Sequence, residues 1–323
     1  MATDLSCVTI ASRGSGLALR QTGLVGDLLR AAHPSLDVVV ETVSTTGDRD
    51  ARPFAQIGTK GLFVAEVERA LLDGRADVAV HSAKDLTARL ADGCTIVCVP
   101  ARAAVYDVVI GGRGDSGEER LARLPPGARV GTSSIRRRAL LAEIAPHVDV
   151  VDLRGNLDTR VRKAADGDVD AAVLAAAGLE RLYGDGGPDR APLDPARWVP
   201  APAQGALAVE ALAARADVRE LFDGLSDERA RAEVECERAF SERLEGGCSV
   251  PVGCTARVDG ASLVATGYLG HPGGGDPLRD RVSGGVREAA ALGRELADAI
   301  LDAGGVDILA ELSADDAPPV DAP

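Results

Sequence analysis

The sequence predicts an α/β protein of two similarly built lobes with a smaller α+β domain behind them, and three observations carry that reading. Short runs of small and β-branched residues alternate with helix-length segments, as buried strands do in a largely parallel sheet. The string Gly-x-x-Asp-x-Ala-Val occurs twice, at 74–80 and at 167–173. A strand running into a Ser/Gly-rich turn and then a helix also occurs twice, at 10–20 and at 130–140. With 323 residues and 46% hydrophobic content, the chain can bury two or three cores.

Taken in order, 8–11 is the first strand, and the turn after it feeds a helix over 17–30 whose first N–H groups can face an anion. A second strand at 38–43 leads into a polar stretch, 44–52. Gly61 opens a helix to Leu72, with Leu62, Val67, Ala70 and Leu71 as its buried stripe and Gly74 as its stop. The run 76–80 is a central strand. Further strands are expected at 95–99 and 104–110, then a charged loop over 111–117 and a short helix over 121–126. From Arg129 the pattern restarts with a strand, a helix opening on three arginines, and a strand at 148–153. The Gly/Pro-rich stretch 185–202 is a loop back to the first lobe, where 202–210 supplies a returning strand. A charged helix at 227–244, three short strands and a last helix over 286–302 form the third domain, and the acidic, Pro-rich 313–323 a disordered tail. The expected division is 1–103 with 203–223 for the first lobe, 104–202 for the second and 224–312 for the third domain.

A formal charge of -14 and only eight aromatic residues argue against a nucleic-acid partner. No apolar run is long enough to span a membrane, and the first eight residues lack the basic start and apolar core of a secretion signal, so a cytoplasmic protein is expected. Its six cysteines are then expected as thiols, and neither they nor the four scattered histidines have metal-site spacing. Arginine outnumbers lysine 33 to three, so clustering rather than abundance must carry any argument about arginine.

The chemistry gathers where strands end, since the carboxyl ends of strands in open α/β sheets line the ligand crevice. The central strand opens into His81, Ser82, Lys84 and Asp85. Asp85 is the candidate catalytic carboxylate with Lys84 as charge partner or substrate ligand; the plainer alternative is that Asp85 caps a following helix and Lys84 is solvated. Arg13 lies in the first Ser/Gly turn, and Lys60 stands at the mouth of a helix whose dipole opposes its charge. Arg136, Arg137, Arg138, Arg154, Arg160 and Arg162 crowd 27 residues, next to the hydroxyls of Thr132, Ser133 and Ser134. Arginine pairs bidentately with carboxylates, so this describes a cradle for a ligand with several carboxylates or phosphates, or else a solvated face of salt bridges. At most two of the three consecutive arginines can face the crevice. No Gly-x-x-x-x-Gly-Lys-Ser/Thr string occurs. Cys248 sits on a Gly/Ser/Pro turn and is either a reactive thiol or a structural one.

Seven ordered motifs, SRGSGLALRQ from Ser12, KGLF from Lys60, HSAKD from His81, GTSSIRRR from Gly131, LRGNLDTR from Leu153, AQGALAVE from Ala203 and LEGGCSVPVG from Leu244, resemble the hydroxymethylbilane synthase (porphobilinogen deaminase) family. The resemblance implies two lobes like those of periplasmic binding proteins and a third domain bearing a dipyrromethane cofactor, joined by a thioether to Cys248. It implies head-to-tail condensation of four porphobilinogen molecules with loss of ammonia, then hydrolytic release of linear hydroxymethylbilane, by a cytoplasmic monomer without metal. Carried over by position, Asp85 and Lys84 would be catalytic. Arg13, Ser82, Thr132, Ser133, Arg136, Arg137, Arg154 and Arg160 would hold acetate and propionate groups, Lys60 would belong to a loop over the cleft, and Gln204 to the returning crossover. Two positions depart from the family: Gln56 stands where lysine is common, and Ala203 where glycine is common, which fits provided its backbone is not left-handed. The competing class is a non-catalytic two-lobed binder of a carboxylate-rich ligand. It gives the third domain and the Cys248 turn no task, and such binders are normally exported.

Overall fold

The computed structural model describes residues 5–44, 64–244, 250–271 and 275–315. Lys60, Gln56 and Cys248 lie outside the described residues. The first lobe begins with β1 (Cys7–Arg13), α1 (Gly16–Ala32), β2 (Asp37–Val43), α2 (Ala65–Leu72), β3 (Val78–Ser82) and β4 (Cys94–Cys98). The second holds β5 (Asp107–Gly111), α3 (Gly117–Ala122), β6 (Arg129–Gly131), α4 (Ile135–Ile144), β7 (Asp149–Val151), α5 (Leu157–Ala165), β8 (Ala171–Ala175), α6 (Ala176–Tyr183) and β9 (Arg190–Pro192). The chain then returns through β10 (Leu207–Leu212) and α7 (Ala216–Glu220). It finishes with α8 (Glu228–Arg243), β11 (Val252–Asp259), β12 (Ser262–Leu269), β13 (Leu278–Gly285), α9 (Ala289–Ile300) and α10 (Val306–Asp315).

The first sheet has the order β2-β1-β3-β10-β4 and the second β7-β6-β8-β5-β9. In each, the first three strands are parallel and the fourth runs against them. The antiparallel strand is the one that enters from the neighbouring lobe's side: β10 returns into the first sheet after the whole second lobe, and β5 opens the second directly after the first. Alternation along β1 sends Val8 and Ile10 into one core with Val25 and Leu29 of α1, and Ala11 into the opposite core with Val67 and Leu71 of α2. Both faces of β1 are covered, which is why Val8, Ile10 and Ala11 are apolar whichever way they point.

The repeated Gly-x-x-Asp string has one structural task in both lobes. Gly74 and Gly167 take φ of +69° and +81° with nothing near a would-be side chain, so the left-handed turn alone requires glycine. Asp77 and Asp170 then clamp the start of the neighbouring strand, accepting from Thr9 N–H at 2.8 Å and Arg129 N–H at 2.7 Å.

Some boundaries differ from the sequence reading. The short helix is α3, six residues that start at Gly117 rather than 121, because Ser116 caps it by accepting from Glu119 N–H. The loop over 185–202 contains β9, a three-residue edge strand that β5 recruits by antiparallel pairing. The C-terminal helix continues to Asp315, so residues 313–315 are helical and not part of a tail.

The third domain packs α8 and α9 on one face of its three-stranded sheet around Phe240, Leu263, Leu269 and Leu296. One tie to the rest is Glu237, fully buried on α8. Arg102, on the segment between β4 and β5, donates to both Glu237 oxygens at 2.9 and 2.8 Å, and Ala203 and Ala256 donate main-chain N–H groups to the same carboxylate. Ala203 has φ +60°, so the residue is left-handed after all and the condition set for a small non-glycine residue is not met. Its place is held by the Glu237 bond and by Ala206 N–H, which donates to the Ala203 carbonyl.

Candidate active site

The exit of β3 turns at once into a single 3-10 turn, Ala83–Asp85, and then an extended Leu86. No helix follows that Asp85 could cap, which removes the plainer reading of this residue. Its side chain is exposed and lines a pocket with Arg13, Ala18, Gln21, Val64, Val80, His81 and Ser82. Arg13 comes from the end of β1, adjacent to β3 in the sheet, so the strand order itself brings these groups together. Ser82 exchanges hydrogen bonds with the amide of Gln21, whose Nε2 donates to Ser82 Oγ at 2.9 Å. Gln21 was not singled out from sequence; the available signal was a polar residue on the buried stripe of α1, four residues before Val25.

Lys84 points the other way along the turn, toward the lobe junction. Its Nζ donates to Gln204 Oε1 at 3.2 Å, and Gln204 Nε2 donates to Asp107 Oδ1 at 2.9 Å and to the Val105 carbonyl at 2.8 Å. Asp107 begins β5, is fully buried, and was also missed from sequence. It accepts from Arg136 Nη2 at 2.7 Å, from Arg137 Nε and Nη2 at 3.1 and 2.7 Å, and from Trp198 Nε1 at 2.8 Å. Burial alone would raise this carboxyl, but Arg137 and Arg136 together hold it well below the usual carboxylate range.

That network revises the arginine cradle. Arg136 and Arg137 are buried, and each divides its guanidinium between Asp107 and a main-chain carbonyl, Val199 for the first and Val173 for the second. Neither is offered whole to a ligand, because a buried carboxylate with two cations on it is what seats the start of α4. Arg138 reaches the Thr132 and Val150 carbonyls. Thr132 is itself buried with Oγ1 accepting from Ser134 N–H, and Ser133 Oγ donates to the Leu153 carbonyl at 2.7 Å. Arg154 Nε lies 2.6 Å from Asp152 Oδ2, and Arg160 Nε donates to the Gly155 carbonyl at 2.8 Å.

Across the junction the electrostatics couple the two lobes. Part of Lys84 keeps contact with solvent, but its ammonium is hemmed in by protein and burial pushes it down to about 8, with Asp85 opposing the shift and Arg137 adding to it. Arg160 is pushed down to about 10, first by burial, then by Arg137, with Asp85 again opposing. Two crowded cations near one carboxylate make a site short of negative charge, and a ligand with several carboxylates relieves that shortage. Among the described residues no group of three or more His, Cys, Asp or Glu is placed to hold a metal ion, and no helix is long and apolar enough to cross a membrane.

A two-lobed α/β protein with an acid at one strand exit, cations around it and a third domain bolted to the junction defines an enzyme of carboxylate-rich substrates. Family models match most of the chain: "Porphobilinogen deaminase, dipyromethane cofactor binding domain" over residues 8–220 and "Porphobilinogen deaminase, C-terminal domain" over 231–302. The chain belongs to the porphobilinogen deaminase family. A porphobilinogen deaminase of Roseiflexus castenholzii is 46% identical over 304 residues, covering 94% of this chain and 98% of the relative. One of Bordetella parapertussis is 47% identical over 306 residues, covering 94% and 96%. Among solved structures, the BvgS VFT2 domain of Bordetella pertussis aligns with TM-score 0.42 and 17% identity over 71% of this chain and 92% of that one, a likeness on which nothing further rests.

Proposed function

We propose that the pocket at the exit of β3 is where porphobilinogen is condensed, with Asp85 as the catalytic carboxylate. The family reaction is the stepwise, deaminative condensation of four porphobilinogen molecules on a covalent dipyrromethane, followed by hydrolytic release of linear hydroxymethylbilane. The observation that carries the site assignment is Asp85 itself: an exposed carboxylate, made by a turn that gives it no helix to cap, facing a pocket whose other named charge is Arg13. When ammonia leaves the substrate, positive charge spreads over the pyrrole ring, and an anion about 4 Å away near the protein surface stabilises it by roughly 4 kcal/mol. Asp85 also accepts from pyrrole N–H, so one group holds the ring and opposes its charge.

The donor set fits the dipyrromethane, whose acid side chains would relieve the crowding around Lys84 and Arg160. Bound, that group supplies a nucleophilic pyrrole carbon for chain growth. Lys84, Ser133, Thr132, Arg154 and Arg160 would hold its carboxylates, with Arg136 and Arg137 contributing charge from behind through Asp107. Arg13 and Ser82 would take the substrate's acetate and propionate, and Lys60 would join them by its place in the KGLF motif. Gln204 is the link between Lys84 and Asp107 on the returning crossover. Cys248 is the attachment point.

The reading includes a monomer working in the cytoplasm, without nucleic acid, and the division 1–103 with 203–223, 104–202 and 224–312; light scattering after size exclusion tests the monomer. Intact mass of the purified protein, before and after porphobilinogen, tests the chemistry. The wild-type chain should carry the added mass of a dipyrromethane and acquire further pyrrole units. Cys248→Ser should fold, carry no stable adduct and lose activity, because a hydroxyl is a far poorer nucleophile than a thiolate. Full activity in Cys248→Ser would move the attachment elsewhere.

A further inference from the structure

His81 sits on the wall of the same pocket, yet the account above gives it no task. β10 pairs with β3 so that Ala208 is opposite His81, which puts Glu210, two residues on, diagonal to the imidazole on the same face of the sheet. His81 Nε2 lies 2.9 Å from Glu210 Oε2, and neither group has an aligned hydrogen-bond partner among the described residues. Glu210 is fully buried, and Glu68 of α2 is buried near it. Burial pushes the Glu68 carboxyl up, opposed by the Ala91 N–H it accepts from, and the charge of Glu210 pushes it further up. A hydrogen on Nε2, the nitrogen that faces the carboxylate, leaves the other nitrogen, Nδ1, as an acceptor. Nδ1 makes no hydrogen bond to a described residue, and His81 lines the pocket.

The pocket thus contains a donor, Arg13, the mutually bonded Gln21 and Ser82, whose amide and hydroxyl can each donate or accept, and two further acceptors, Asp85 and Nδ1 of His81. Porphobilinogen is the complement of that set: two carboxylates that only accept, and two donors, its pyrrole N–H and its aminomethyl group, an ammonium at neutral pH. With Asp85 on the pyrrole and the Gln21 and Ser82 oxygens bonded to one another's hydrogens, Nδ1 is the acceptor left for the aminomethyl group. We infer that His81, held by Glu210, accepts from the aminomethyl group of porphobilinogen and so selects for the nitrogen leaving group. This rests on reading the pocket as the porphobilinogen site.

The test compares porphobilinogen with its analogue carrying hydroxymethyl in place of aminomethyl, after intact mass has shown the covalent cofactor in every variant. His81→Leu removes the acceptor, whereas His81→Asn keeps an oxygen close to the place of Nδ1; both lose the contact with Glu210. The expected result is that His81→Leu lowers the kcat/KM ratio of porphobilinogen over the analogue by roughly tenfold to a hundredfold, the size of a lost charge-assisted contact. His81→Asn should restore most of that ratio. Equal losses on both substrates, or equal losses in both variants, would leave His81 as packing and overturn the inference. If His81→Leu does not fold, Glu210→Gln supplies the reading: it keeps the imidazole but frees its tautomer, and the ratio should fall; an unchanged ratio overturns the inference. A wild-type protein inert toward both compounds would instead sink the reading of the pocket on which this one stands.

Discussion

In the first lobe Asp77 clamps Thr9 and Ser15 caps the helix after β1; in the second Asp170 clamps Arg129 and Ser134 caps the helix after β6. Sheet order and strand sense agree as well. The lobes part company at the exits of their third strands. After β3 come Ser82, Lys84 and Asp85, a single 3-10 turn and a pocket; after β8 the chain passes straight into α6, whose first four residues are buried and apolar or glycine. Charge follows the same division. The first lobe supplies the acid at its strand end, whereas the second locks two arginines onto Asp107 and leaves Arg154 and Arg160 at its rim. One frame can thus carry either chemistry or ballast, and the choice is made in the few residues after one strand.

The largest way to break the comparison is Asp107→Asn. It leaves Arg136 and Arg137 buried with no anion, and breaking a buried pair in this way costs about 3 to 5 kcal/mol. Urea unfolding should show that loss, with activity falling only as far as folded protein is lost or Lys84 is released through Gln204. The sign of the pH effect follows from the depressed carboxyl: its stabilisation is complete above the ordinary value of about 3.9 and erodes as pH falls below that toward the folded-state value. Asp107→Asn should flatten the acid limb of the stability curve. Unaltered unfolding would show that the network is not what seats α4.

Asp85→Asn attacks the first lobe instead and should do the opposite. Thermal melting should stay within about 0.5 kcal/mol of wild type, as for an exposed residue. Single-turnover condensation in cofactor-loaded protein should slow by two to three orders of magnitude, the kinetic equivalent of the roughly 4 kcal/mol of charge stabilisation. Asp85→Glu should retain more activity than the amide. Condensation at the wild-type rate would leave Asp85 without a catalytic role.

The shared frame can be sharpened with Asp77→Ala and Asp170→Ala. Each deletes one carboxylate-to-N–H clamp, so each should lower stability by about 1 to 2 kcal/mol, and by similar amounts. Asp77 also pairs with Arg215 at 3.0 Å, a half-exposed contact that adds a few tenths of a kcal/mol at most. A several-fold disparity would mean that the repeated string is a coincidence of sequence. Smallest of all, Ala203→Gly should raise stability by about 0.5 to 1 kcal/mol, since a left-handed alanine costs about 1 to 2 kcal/mol and glycine gives some of that back in chain entropy. A loss on calorimetry would show that the methyl group's packing outweighs the strain.

The placement of Ser82, Lys84 and Asp85 at a strand exit was legible because strand, turn and ionisable groups are contiguous, and the twin Gly-x-x-Asp strings because each clamp belongs to one local turn. What stayed hidden was whatever depends on distant pairing. Asp107 looks like the polar start of an ordinary strand until Arg137, 30 residues on, and Gln204, 97 residues on, are placed beside it. Glu237 is one acid in a charged helix until Arg102, 135 residues earlier, meets it. Spacing along α4 allowed two arginines on the crevice side but could not say that a buried carboxylate would claim them first. Gln21 and His81 were passed over for the same reason, since their partners lie on another element.

The return of β10 has a consequence for the order in which this protein is made. The second sheet draws its strands from one continuous stretch, 107–192, and can close as soon as that stretch has left the ribosome. The first cannot: β3, which carries Ser82 into the pocket, pairs with β1 on one side but waits on the other for β10. Until residue 212 has been synthesised, the strand that leads into the proposed site has a bare edge of unpaired main-chain groups. The nascent chain is therefore most open to mispairing at the site it most needs to form, and a pause in translation after the second lobe would lengthen that exposure.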